Sequence, residues 1–280
     1  MKVGLVLEGG AMRGIYTAGV LDVFLENNIE FNGVAGVSAG AVHGRSYVAK
    51  QKGRSIRYYT KYCKDKRFMS WHSFFKTGNI VGTDFCYNEL PNKLDKFDND
   101  AFEAAQTDYY VTATNCETGK AELIKCDSLR GDKIHYIRAS ASMPYVSEIV
   151  EIDDKKYLDG GIGDSVPLNR MMEEGYDKIV VVLTRPKGYR KKSELNGLAK
   201  LVYRKYPNLV KCIVNRPTMY NNTMSEIEKL EEEGKIIVIR PTVDNKISRT
   251  EKDENKIREQ YELGVKDAQE RLDDIKSFIS

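Results

Sequence analysis

Ser38 stands in the pentapeptide Gly36-Val37-Ser38-Ala39-Gly40 at the end of an apolar stretch. G-x-S-x-G is the spacing of a nucleophile held on a tight strand-to-helix turn. A serine hydroxyl attacks poorly unless a neighbour takes its proton, so the pattern calls for a base. The chain has three histidines, His43, His72 and His135. His43 follows the serine by five residues on the same predicted helix, which turns it away from the nucleophile's side. His72 sits in a basic, aromatic stretch, and only His135 is far enough along to fold back. No histidine follows residue 135, so the order Ser…Asp/Glu…His of α/β-hydrolases is unavailable.

The remaining candidate base is a carboxylate. Tyr157-Leu-Asp-Gly-Gly-Ile-Gly-Asp-Ser-Val-Pro-Leu168 places Asp159 at the end of a short apolar run, before Gly160 and Gly161. Paired glycines permit a positive φ and a close approach by other backbone, enough to bring the acid to the serine. Aspartate, with an ordinary pKa of about 3.9, is a weak base; burial strengthens it, and transfer needs a separation of about 2.6–3.2 Å. On these residues alone a plain Asp-Gly-Gly turn between strands is the commoner reading. The oxyanion needs backbone donors, and Gly9-Gly10-Ala11-Met12-Arg13-Gly14 offers them where a strand leads into a helix. One such donor is worth about 2.7–4 kcal/mol of barrier. A dinucleotide cradle would need G-x-G-x-x-G, but Ala11 holds the middle position, and Ser38 stands where a ribose-binding acid would be.

These pieces need strands to carry them. The pattern predicts strands at Val3–Leu7, Gly33–Val37, Tyr109–Thr114, Ala121–Lys125, Ser147–Ile152, Ile179–Leu183 and Ile236–Arg240. Helices are predicted from Arg13 to Asn27, from Ala39, at Pro167–Glu174 and Met224–Glu233, and as one amphipathic run over Glu254–Ile279. Such alternation predicts a mostly parallel sheet covered by helices. With no linker in view, residues 1–280 read as one domain with insertions.

Composition narrows the class. The chain is 41% hydrophobic and 30% charged, and its net charge of +3 does not suggest a nucleic-acid binder. Cys63, Cys86, Cys116, Cys126 and Cys212 are odd in number and scattered, which argues against a disulfide framework or zinc site and for a reducing compartment. The N-terminal apolar run is too short for a signal segment, and no stretch approaches the roughly 20 apolar residues of a membrane span. The expected location is cytoplasmic, with peripheral membrane contact and leaderless export both compatible. Two stretches mix cations with apolar and aromatic residues, Lys50 to Lys76 and Arg185 to Lys211. They suit an anionic membrane surface, or else solvated helices whose aromatics pack on the core.

The set as a whole resembles the bacterial patatin-like phospholipases. The resemblance rests on "GGAMRG", "GVSAG" and "DGG", with "ATNCETGKA" and "RASASMPY" between them, and covers Lys2 to about Leu183. It implies a three-layer α/β/α fold in which residues 184–280 complete the domain. It also implies a Ser38–Asp159 dyad, an oxyanion hole from the backbone of Gly9, Gly10 and Ala11, and support from Arg13, Gly14, Gly36, Gly40, Gly160 and Gly161. Ala11 departs from the third consecutive glycine of many members. The implied activity is hydrolysis of a phospholipid or other acyl ester through an acyl-enzyme, without metal or cofactor. Two rivals remain: an acyltransferase pairing Ser38 with His135, and a non-catalytic lipid-binding protein. Oligomeric state leaves no mark in the sequence.

Overall fold

The computed structural model describes residues 1–192 and 196–280. The strands are β1 Val3–Leu7, β2 Gly33–Val37, β3 Asp108–Asn115, β4 Ala121–Lys125, β5 Val150–Ile152, β6 Lys155–Asp159, β7 Lys178–Val182 and β8 Ile236–Ile239. The helices through the first half are α1 Ile15–Glu26, α2 Ala39–Val48, α3 Arg54–Tyr62, α4 Trp71–Thr77, α5 Asn99–Ala104 and α6 Ile134–Ser140. Those of the second half are α7 Leu168–Glu173, α8 Asn196–Val202, α9 Pro207–Glu232, α10 Glu254–Glu270 and α11 Leu272–Ile279.

The run β3-β2-β1-β7-β8 is parallel throughout, and β4, β5 and β6 add antiparallel pairings at the β3 end. The central strands are short, apolar and buried on both faces, as a parallel sheet covered by helices requires. Alternate residues separate the layers. Leu5, Leu7, Val180 and Val182 join Tyr16, Val20 and Phe24 of α1 and Ala268 of α10 on one face. Val6, Val181 and Val238 join Met171 of α7 and Tyr220, Met224 and Ile227 of α9 on the other. The three-layer α/β/α expectation is met.

The pairing of β3 sets up the site. Tyr110–Thr112 pair with β2 and β4 at once, and Ala113 and Thr114 pair with β4 and β6. Since a strand has two edges, β2 and β6 share one of them. β2 runs parallel to β3 and ends with Val37 opposite Thr112, whereas β6 runs antiparallel and ends with Asp159 opposite Ala113. Their C-terminal tips therefore meet head to head along the edge of β3.

Several expected boundaries shift. β6 was absent from the predicted strands because it is reached by a two-residue hairpin, Asp153-Asp154, with φ of 49° and 61°. Asp-Asp is a weaker signal for that turn than Asn-Gly or Asp-Gly. The expected helix at Met224–Glu233 is the second half of α9, whose interior carries Pro217. An interior proline normally breaks a helix, which hid the first half. The expected run Glu254–Ile279 is divided at Arg271 into α10 and α11. α10 crosses α1 closely: a Cβ on Gly19 would lie 2.2 Å from the Tyr261 carbonyl oxygen, and one on Gly264 2.1 Å from that of Tyr16. Among the described residues no helix is long and apolar enough to cross a membrane.

Candidate active site

Ser38 occupies the corner between β2 and α2 with φ 53° and ψ −118°. A non-glycine residue held there is strained, and the surrounding contacts must hold it. Its N–H donates to Ser140 Oγ at 2.8 Å. The corner closes because Gly40 lacks a side chain: a Cβ there would sit 2.4 Å from the Leu7 carbonyl oxygen. Gly36 lies against the Ala41 backbone, and Gly14 closes on Ala39, so the glycine loop and the elbow pack as one unit.

Asp159, at the tip of β6, is 6% exposed, as is Ser38. Its N–H donates to the Ser142 carbonyl at 2.8 Å, and its Oδ1 accepts the Gly161 N–H at 2.7 Å. Burial holds the carboxyl above its ordinary range, while Arg216, the Gly161 N–H, a hydrogen bond from Ser38 and Lys191 pull it back. The first cause makes it a better base. Neither glycine after the acid has the positive φ anticipated from the sequence. Close approach is the requirement instead, since a Cβ on Gly160 would lie 2.1 Å from the Thr112 carbonyl oxygen.

Positive φ appears in the glycine-rich loop, at Ala11 with φ 49°. Among the described residues the Gly10 and Ala11 N–H groups have no acceptor, while the Gly9 N–H points to the Ser165 carbonyl at 3.5 Å. Ala39, as the first residue of α2, adds an N–H without an intrahelical acceptor. Ser38, Asp159, Gly10 and Ala11 all line one cavity of about 630 Å³. Arg13 lines it too, with a buried Nε lacking a partner, and burial together with Arg185 and Arg249 pushes its guanidinium down to about 10.

On the other side of Ser38 a narrow slot runs between Val42, Tyr58, Tyr59, Phe68, Met69 and Leu90. Arg45 also lines it, stacked 5.1 Å over the Phe97 ring. Ser38, Ala11 and Met143 border both spaces, so the nucleophile stands between an apolar slot and a polar cavity.

The histidines lie elsewhere. His43 is fully buried, with Nδ1 at 2.9 Å from Ser55 Oγ, and burial pushes it down to about 3, so it is neutral. His72 is exposed on α4. His135 faces Asp132 at 3.8 Å and does not line the cavity. It shares α6 with Ser140, but five residues at 100° each put the two on different faces. Sequence reasoning missed Ser140, Lys191 and Arg216; single polar residues on helices and loops carry no motif by which to find them.

The sequence model of the patatin-like phospholipases matches residues 5–172, and a second model, described as a domain of unknown function (DUF6363), matches residues 206–280. The chain is 25% identical over 253 residues to the uncharacterized protein YjjU of Escherichia coli (strain K12), covering 86% of this chain and 68% of that protein. It is 27% identical over 295 residues to lysophospholipase NTE1 of Coccidioides immitis (strain RS), covering 99% of this chain but only 18% of that much longer protein. VipD of Legionella pneumophila aligns over 98% of this chain and 67% of its own, with 13% identity and a TM-score of 0.49. With more than half its length matched by that first model, the chain belongs to the patatin-like phospholipase family.

Proposed function

We propose that the protein hydrolyses a carboxylic ester of a phospholipid or lysophospholipid, with Ser38 as nucleophile and Asp159 as base. The observation that carries this reading is the head-to-head meeting of β2 and β6, which puts the serine and the buried carboxylate side by side. Ser38 Oγ attacks the acyl carbonyl while its proton passes to Asp159. The Gly10, Ala11 and Ala39 N–H groups receive the oxyanion, worth about 2.7–4 kcal/mol for each donor. As the tetrahedral intermediate collapses, the ester C–O bond breaks and Asp159 protonates the leaving alcohol. Water then gives a proton to Asp159 and its hydroxyl to the acyl carbon; the bond from the acyl carbon to Ser38 Oγ breaks, Asp159 returns the proton to Oγ, and the fatty acid leaves. The acyl chain takes the slot beside Val42 and Met69, and the alcohol portion takes the larger cavity. Residues 1–280 act as one unit in this reading, because β8 and α10 belong to the same sheet and helix layer as the motifs.

A lipid surface supplies the substrate. Trp71 and Phe75 of α4 are 59% and 82% exposed, and Trp71 lines the cavity. Leu198, Leu201 and Val202 of α8 are also exposed, whereas Tyr203 just beyond is buried and its hydroxyl oxygen accepts the Tyr145 N–H at 2.8 Å, at the cavity wall. Hydrolysis of a short p-nitrophenyl acyl ester and of lysophospholipid, in wild type, Ser38→Ala and Asp159→Asn, tests the reading. Loss of turnover on both substrates in both folded variants is expected. Full activity in either variant would overturn the dyad.

A further inference from the structure

The cavity that receives the alcohol portion carries an excess of positive charge that ester hydrolysis does not use. Among the described residues seven cations line it: Arg13, Arg185, Arg190, Lys191, Lys192, Arg216 and Arg249. Arg185 and Arg190 are held by Asp244 at 3.7 Å and Glu228 at 2.6 Å. Among the described residues the other five have no carboxylate within 4.0 Å. Among the described residues the only carboxylates lining the same space are Glu8 and Asp159. Glu8 is tied up, accepting from Thr184 N at 2.6 Å and from the Tyr220 hydroxyl at 2.9 Å.

Lys191, Arg216 and Arg13 are partly buried in the wall of the cavity, while Lys192 and Arg249 stand exposed at its rim. Lys191 Nζ rests 3.7 Å from the centre of the Tyr220 ring and donates to Ser165 Oγ at 3.2 Å. Arg216 Nε donates to the Gly161 carbonyl at 2.6 Å, and the N–H of the same glycine binds Asp159. The box therefore touches the reacting centre through one residue. Burial, Arg216 and Arg249 push the Lys191 ammonium down to about 7, and Arg185 and Arg249 act the same way on Arg13, so these cations converge. Arg216 and Arg249 come from the segment matched by the domain of unknown function.

We propose that this box binds a phosphomonoester headgroup, so that the preferred substrate is an acyl ester whose alcohol portion ends in a doubly charged phosphate. Among the described residues Arg13, Lys192, Arg216 and Arg249 set four unpaired charges against two carboxylates, an excess of two that matches a dianion, and Lys191 adds to it when protonated. A choline headgroup brings a fixed positive charge of its own and meets repulsion in the same space. The inference rests on the hydrolase reading and assigns a role to Arg216 and Arg249 that the Ser38–Asp159 chemistry does not require.

The test compares lysophosphatidate with lysophosphatidylcholine of the same acyl chain, in mixed micelles of constant surface charge, with a p-nitrophenyl acyl ester as the uncharged reference. Wild type is expected to favour lysophosphatidate by about tenfold or more in kcat/KM, the scale of one or two charge-assisted hydrogen bonds. In Arg249→Ala the ratio between the two lipids should collapse toward one, and in Arg249→Lys most of it should return. A flat ratio in wild type, alongside Ser38-dependent cleavage of the p-nitrophenyl ester, overturns the headgroup assignment and leaves the hydrolase reading standing. Cleavage of the p-nitrophenyl ester that persists in Ser38→Ala overturns the hydrolase reading instead. Inorganic phosphate that changes p-nitrophenyl ester hydrolysis, with no preference between the lipids, overturns the headgroup source in favour of free phosphate.

Discussion

The stretches 50–76 and 185–211 read alike, yet the fold uses them in opposite ways. In the first, Tyr58, Tyr59 and Phe68 turn inward, and their rings pack edge to face 5–6 Å apart as a wall of the slot beside Ser38. Its cations turn outward, apart from Arg54, which is buried beside Asp95. In the second, Arg185 and Lys191 face the cavity, while Leu198, Leu201 and Val202 are exposed. Packing of the aromatics on the core holds for much of the first stretch, and the exposed apolar residues of the second are where the proposed membrane contact would fall. Composition shows which residue types are present; helical phase decides which of them meet water.

The largest effect is expected at the proposed dyad, whose serine stands between the two spaces these regions line. If Asp159 is the base, as proposed, Asp159→Asn removes it without changing shape, and turnover should fall by about 10³-fold or more while the thermal midpoint holds. Steady-state rates on a short ester, with circular dichroism as control, check this. Next, Met69→Trp should fill the slot and leave the cavity intact. Each methylene kept out of an apolar site costs about 0.8 kcal/mol, so a loss of four shifts the preference toward short acyl chains by roughly 200-fold. A chain-length series of p-nitrophenyl esters reads that shift, and an unchanged profile would move the acyl chain elsewhere.

A smaller effect is expected at the rim. Phe75→Ala should weaken binding to vesicles by about tenfold, the value of one exposed aromatic buried in lipid, with soluble-ester hydrolysis unchanged. Sedimentation with anionic and neutral vesicles would measure it.

The pH profile should separate the two sides of Ser38. Asp159 must be ionised to act, and its carboxyl is held above the ordinary range, so kcat should fall on the acid side for every substrate. Lys191 has the opposite sign: its charged form attracts phosphate, and it loses its proton above about 7. Arg216, Arg249, Glu8 and Asp159 act on it, with the Tyr220 ring and Ser165 in contact. KM for lysophosphatidate should therefore rise several-fold above that pH, with KM for the p-nitrophenyl ester flat. The smallest effect is expected for Ala11→Gly. Relief of a left-handed alanine and the added freedom of the unfolded chain nearly cancel, so stability should move by less than about 1 kcal/mol by chemical denaturation.

Much of this arrangement was legible beforehand. Val3–Leu7, Gly33–Val37 and Ala121–Lys125 were predicted with the ends they have, because a buried strand bounded by glycine or charge gives an unambiguous run. The serine, the aspartate and the loop were named because each is marked by glycines that a tight corner demands. What escaped has no local mark. β6 depends on pairing with β3, α9 overrides the break that Pro217 suggests, and the five unpaired cations gather from distant parts of the chain. Their charge is visible in the sequence, whereas their convergence belongs to the tertiary structure.

The meeting of β2 and β6 on one edge of β3 makes that strand a ruler for a pair of residues it does not contain. Val37 is counted off at Thr112 and Asp159 at Ala113. One residue inserted between those two positions would lengthen the gap by about 3.3 Å, more than a hydrogen bond spans. Insertions at the loop tips of this chain leave that spacing alone. Residues 112 and 113 are thus where a single added codon would silence the enzyme while every motif in its sequence stayed intact.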